Sequence, residues 1–135
     1  MGLDIFSQVF APQIIDATPS VPTFTGPFAT GQAVALILKQ IGKLIIMEVP
    51  GISASPAVDS AATASGVIPT ALRPLAQIFG TVLIVSNVAI LAAPGRCSVG
   101  TNGDVVINAD LLGTLNWLGV GNNGWSRFSL CWTIS

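Results

Sequence analysis

A chain of 135 residues with five Lys or Arg and six Asp or Glu cannot clothe a globular surface in charge. An ordinary soluble domain is about 25% charged; here the fraction is 8%, against 51% hydrophobic. The length suits one domain with one core and is too short for two. Either lipid or other protein must cover the surplus apolar surface, and the pattern of the apolar runs discriminates between them.

Residues 75–94 (LAQIFGTVLIVSNVAILAAP) carry no charge and match the length of a bilayer span. Their texture is that of a pleated surface. Ile78, Thr81, Val82, Ile84, Val85, Val88 and Ile90 are β-branched, Gln77, Gly80, Ser86 and Asn87 interrupt the run, and Ser86 with Asn87 forms a turn signal. Two short strands are the expectation, and a membrane helix over about 75–94 is the alternative. Residues 1–10 (MGLDIFSQVF) place an acid where a secretion signal has its basic segment, and Phe6 stands where acylation of Gly2 requires Ser or Thr. Cytoplasmic synthesis is expected.

Residues 1–22 read as an apolar arm, with Phe6, Val9, Phe10, Ile14 and Ile15 as its docking residues and Pro12, Pro19 and Pro22 as punctuation; it either docks on another protein or folds back over its own domain. Residues 23–135 read as one all-β domain. Runs at 32–38 and 44–49 form a hairpin across residues 39–43. Residues 52–66 (ISASPAVDSAATASG) read as a loop of small residues. Runs at 97–100 and 105–108 flank Asn102 and Gly103, the strongest short hairpin signal. Residues 121–124 (GNNG) make a turn before the last strand, 127–135.

In that last strand Phe128, Leu130, Trp132 and Ile134 alternate with Arg127, Ser129, Cys131 and Thr133. The first hairpin is apolar on both faces: Val34, Leu36 and Leu38 on one side, Ala35 and Ile37 on the other, then Leu44, Ile45, Ile46 and Met47 in succession. A strand apolar on both faces is covered on both faces. One face packs on the core of the domain and the other meets a second subunit. Leu36, Leu38, Ile45, Met47, Phe128, Leu130 and Trp132 are the interface candidates.

Catalysis finds no support. The chain has no His and no Tyr, its six acids form no evident dyad, and no nucleophile motif is present. Asp104 reads as a turn residue, and Asp110 as a turn residue rather than a cation ligand. No cofactor or metal motif appears. Lys39, Lys43, Arg73, Arg96 and Arg127 are scattered singly, which excludes a nucleic-acid surface. Cys97 and Cys131 fit no metal spacing and read as small buried thiols. Exposed aromatics anchor ligands, so Asn122, Asn123 and Trp125 mark a possible ligand loop, with Trp125 folded over the sandwich edge as the simpler reading.

The order of several short motifs resembles a known family. Phe24-Thr25-Gly26-Pro27 leads into a first strand. Lys39-Gln40-Ile41-Gly42-Lys43-Leu44-Ile45 is similar to a "basic residue, x, Ile-Gly-x-x-Val" hairpin, and Ile68-Pro69 with Leu72-Arg73-Pro74 to a "Leu-Pro, x, x, x, Arg-Pro" element. Residues 99–107 (VGTNGDVVI) resemble a two-strand element with a central turn, although Asn102-Gly103-Asp104 departs from its Asp-Gly order. These features resemble the jelly roll shared by complement globular heads and tumour-necrosis-factor-like proteins, a module also found in virion proteins. The resemblance spans roughly residues 24–135. It implies an antiparallel two-sheet jelly-roll sandwich and a homotrimer, and it supplies no catalytic residues. No collagen-like repeat or coiled-coil stalk accompanies it. A structural subunit of a virion, made in the host cytoplasm and contacting its own copies and other capsid proteins, is therefore expected. A receptor- or glycan-binding fibre tip and a small membrane protein are the alternatives.

Overall fold

The computed structural model describes residues 14–16, 21–59 and 61–135, and every strand pairing in it is antiparallel. The chain forms β1 (Ile14–Asp16), β2 (Thr23–Phe24), β3 (Gln32–Ala33), β4 (Ile37–Ile41), β5 (Leu44–Val49), β6 (Ile52–Ala54) and β7 (Ala61–Ala64). A single 3-10 turn at Thr70–Leu72 follows. The chain then forms β8 (Ile78–Val82), β9 (Ile84–Ser86), β10 (Ala89–Ile90), β11 (Gly95–Val99), β12 (Val105–Asn108), β13 (Asn123–Trp125) and β14 (Phe128–Thr133). The all-β sandwich expected from the short alternating runs is what forms.

Three four-stranded sheets enclose the core, in the orders β1-β4-β5-β14, β7-β12-β11-β8 and β10-β9-β13-β6. The first two meet where Leu130 of β14 fills the space a Cβ on Gly80 of β8 would need. The third lies over them, with Ile84 of β9 against Gly95 of β11. Between the layers sit Phe24, Leu36, Leu38, Ile45, Met47, Ile84, Val99, Ile107 and three tryptophans, all essentially inaccessible. Indole N–H groups inside a core need acceptors. Trp132 Nε1 donates to the Leu72 carbonyl at 2.7 Å, Trp125 Nε1 to Pro50 at 3.1 Å and Trp117 Nε1 to Val85 at 3.2 Å. Each bond ties a loop to the strand that carries or faces the ring.

The residues of the apolar run 75–94 form β8, β9 and β10, in place of the alternative helix. Among the described residues no helix is long and apolar enough to cross a membrane. The hairpin between β9 and β10 turns at Asn87 and Val88, one residue later than the sequence signal, with Ser86 opposite Ala89. Both central residues have positive φ, 53° and 65°, the arrangement of a type I′ turn. Asn tolerates that conformation; a β-branched side chain does not. Val88→Gly therefore creates the Asn-Gly pair that this turn favours. The strain of about 1–2 kcal/mol exceeds the entropic cost of glycine, leaving a gain of about 0.5–1 kcal/mol. Urea unfolding of the two proteins measures it, and a variant no more stable than the parent would show Val88 to be unstrained.

Strands β6, β7 and β13 had no signal in the sequence, the last beginning inside the expected 121–124 turn. Residues 52–66 contain β6 and β7, the latter presenting Ala62 and Ala64 to the core opposite Ile107 and Val105. Alanine is depleted in strands, so this segment reads as loop until its neighbours are known. The 39–43 turn shrinks to Gly42 and Lys43, because Lys39, Gln40 and Ile41 continue β4 and pair with Ile46, Ile45 and Leu44. Gly42, at φ +59°, supplies the conformation this two-residue turn requires.

Candidate functional site

The register of β4, β5 and β14 decides which apolar residues face outward. Leu38, Ile45, Met47 and Trp132 share the inner face and are buried in the chain's own core, as is Leu36 just before β4. These five interface candidates have no surface left to offer a second copy, which corrects that assignment. Phe128 and Leu130 lie on the same inner face and are half-buried. The alternation expected in β14 holds, and its apolar side points inward.

The opposite face is formed by Ile37, Lys39, Ile41, Leu44, Ile46, Glu48, Ser129, Cys131 and Thr133. Its one carboxylate, Glu48, is shared by two cations. Glu48 Oε1 lies 3.8 Å from Lys39 Nζ and its Oε2 3.7 Å from Arg127 Nη2, exposed pairs that contribute little stability. What remains is an apolar strip. Leu44, Ile46, Ser129, Leu130 and Cys131 line a recess of about 190 Å³ on it. Beyond β4 lies β1, where Ile14 and Ile15 of the expected arm pair with Ile41 and Gln40 and remain 64% and 54% exposed. The arm's other candidates, Phe6, Val9 and Phe10, lie outside the described residues.

Cys131 is an exposed free thiol on that outward face, and Cys97 is buried in β11. The two do not pair, and the expectation of two buried thiols fails for Cys131 because odd positions of β14 face out. Burial pushes the Cys97 thiol up to about 12, since the thiolate would lose its hydration. Under native conditions a maleimide should leave Cys97 unmodified and reach it only on unfolding, whereas Cys131 is open in any single copy whose outward face is free. Rapid modification of both in folded protein would contradict this burial.

The proposed ligand loop is mostly interior. Asn122 is exposed, but Asn123 and Trp125 are buried. The Asn123 amide Nδ2 donates to the carbonyls of Pro27 (3.0 Å), Ala57 (3.1 Å) and Leu118 (2.8 Å), while its Oδ1 accepts from Ser86 Oγ at 3.3 Å. Trp125 packs edge-on to Phe24 and Phe28, at centroid distances of 5.3 and 5.8 Å. Both residues are structural, a correction to the sequence expectation. A run such as GNNGW carries no sign that its Asn is a clamp.

A second apolar surface surrounds the β9–β10 turn. Val88 N–H donates to the Asn122 carbonyl, Leu118 N–H to Ser86 Oγ and Trp117 N–H to the Asp59 carbonyl. Gly119 abuts Val58, and Gly121 abuts Asn87. These contacts gather Val58, Val88, Leu118 and Val120 on one surface beside Ile90, all more than half exposed. No charged residue occurs in 83–95 or 111–126.

Asp104 and Asp110 have structural partners. Asp104 Oδ1 accepts from Gly66 N–H and its Oδ2 from Asn102 Nδ2, each at 2.7 Å. Asp110 accepts the N–H and hydroxyl of Thr114 at 2.9 and 3.1 Å, closing a loop as expected. Desolvation raises its pKa, but hydrogen bonds from Leu115, Thr114 and Gly113 outweigh this and hold the carboxyl below its ordinary value. A depressed folded-state pKa means stabilisation that is present above the unfolded pKa and is lost as pH falls through the folded one. Asp110→Asn should therefore flatten the acid limb of the stability–pH curve below about pH 4. An unchanged limb would show that these bonds do not favour the ionised form. Among the described residues no three His, Cys, Asp or Glu side chains converge on a metal position.

No protein-family model and no curated protein matches the chain. Among solved structures it is similar to the attachment protein sigma1 of a reovirus, determined in complex with alpha-2,3-sialyllactose. The TM-score is 0.52 at 14% sequence identity, over 89% of this chain and 66% of that one. The chain thus spans just under two thirds of the viral protein's length, and the likeness is one of fold.

Proposed function

We propose that this protein is a non-catalytic structural subunit of a virus particle, assembling as a homotrimer of the tumour-necrosis-factor-like type. One observation carries the reading: with its core complete, the sandwich still turns an apolar sheet face outward, with Ile37 exposed and Ile41, Leu44 and Ile46 half-buried. Exposed apolar surface beyond a few hundred Å² marks an interaction site in a soluble chain. The similarity in fold to a viral attachment protein supports a virion as the setting. Residues 1–22, with Ile14 and Ile15 exposed on β1, would join the subunit to its particle.

Light scattering of the purified protein tests the assembly. A mass about three times 13.8 kDa supports it; a monomer at tens of micromolar overturns it. Removal of residues 1–22 should then leave a trimer that no longer incorporates into particles.

A second reading, a receptor-binding tip, draws on the sialyllactose complex of the structurally similar protein. Its binding residues would lie among exposed loop positions such as Asn122, since Asn123 and Trp125 are interior. Saturable binding to sialylated glycans, abolished by changes in exposed loops, would favour it.

A further inference from the structure

The β9–β10 turn holds a valine where the backbone penalises it and leaves most of its side chain exposed. Val88 adopts φ 65° and is 71% exposed. Glycine or asparagine would relieve the strain and reduce apolar exposure together. Backbone strain persists where function requires the side chain that causes it. Val88 is also the tip of an apolar projection whose neighbours Val58, Ile90, Leu118 and Val120 are likewise exposed.

A projection needs a complementary recess, and this chain has an apolar one. The shallow recess lined by Leu44, Ile46, Ser129, Leu130 and Cys131 contains no charged side chain and is mostly apolar. Projection and recess lie on different sheets of the sandwich. The charges bordering them are opposite: exposed Asp59 follows Val58 at the projection, and exposed Lys43 precedes Leu44 at the recess. Among the described residues neither Asp59 nor Lys43 takes part in an ion pair.

We propose that these surfaces are two halves of one contact, in which the Val88 projection of one copy seats in the Leu44, Ile46 and Cys131 recess of the next. The proposal rests on the self-assembly reading and specifies its geometry. Such a contact is heterologous: each copy uses its projection once and its recess once. Repetition closes a ring when the rotation permits, here with three members. An isologous dimer would instead bring one patch against itself.

Complementation of two broken copies tests this. Val88→Asp spoils the projection and leaves the recess; Ile46→Glu spoils the recess and leaves the projection. Each change places an unpaired charge in an apolar contact and should weaken association roughly a hundredfold. Each variant alone should be monomeric, with a cooperative melt. Mixed, they retain one intact junction and should form a one-to-one dimer, seen by native mass spectrometry. Val88→Gly, which relieves the turn while removing the projection, replaces Val88→Asp if the latter does not fold. Wild-type mass in either variant overturns the proposal, as does a mixture that stays monomeric. In both cases the self-assembly reading survives, whereas a monomeric wild-type protein removes both.

Discussion

Asn123→Leu is expected to cost the fold about 3 kcal/mol, measured as a lowered midpoint in urea. The side chain is inaccessible, and its amide holds carbonyls from three separate segments, at Pro27, Ala57 and Leu118. Leucine matches it in size and offers no donor. The Pro27 carbonyl keeps a bond from Ala57 N–H, so the unpaired acceptors are chiefly those of Ala57 and Leu118. A buried polar group left without a partner costs about 1–3 kcal/mol. Asn123→Asp should be worse, because a carboxylate would then face carbonyl oxygens with no proton to share. If Asn123→Leu shifts stability by less than about 1 kcal/mol, water must replace the lost donor and the clamp is not what holds these loops together.

Trp125→Ala should be the most damaging single change considered, at about 4 kcal/mol and a melting temperature lower by roughly 15 °C. Truncation removes the edge-on contacts with Phe24 and Phe28 and the donor to the Pro50 carbonyl, and it opens a void where β13 packs. Trp125→Phe keeps most of the apolar volume and loses the N–H, so it should cost about 1–2 kcal/mol. That ordering separates the interior role from a ligand role. A stable, fully folded Trp125→Ala protein that had lost only glycan binding would restore the sequence expectation that this residue belongs to a ligand loop.

Several elements were legible before the fold was known, each for a local physical reason. Asn102 and Gly103 announce the β11–β12 turn because few residue pairs accept its geometry, and Gly103 indeed has φ +87°. Alternation in β14 is strict because one side is interior. The β-branched texture of residues 75–94 distinguishes pleated strands from a membrane helix. By contrast, β7 and β13 were illegible. Alanine and glycine carry no alternation of size, and the pairings of Ala61–Ala64 with β12 and of Asn123–Trp125 with β6 and β9 join segments far apart in sequence.

The sequence by itself determined that this is an antiparallel β chain with more apolar surface than one small core can absorb, since composition and period-2 patterning are local properties. Only the tertiary structure decided which side of each strand is the inside. Leu44, Ile45, Ile46 and Met47 are equally apolar, and a period of two assigns them to faces without naming either as the core. Packing breaks that tie: Ile45 and Met47 lie beside Trp132 and Leu130 across β14, and Leu44 and Ile46 are left outside around Cys131. Long-range contacts likewise turned Asn123 and Trp125 from apparent loop residues into the clamp and centre of the core, because the partners that bury them lie on β6, β9 and the segment around Phe24 and Phe28.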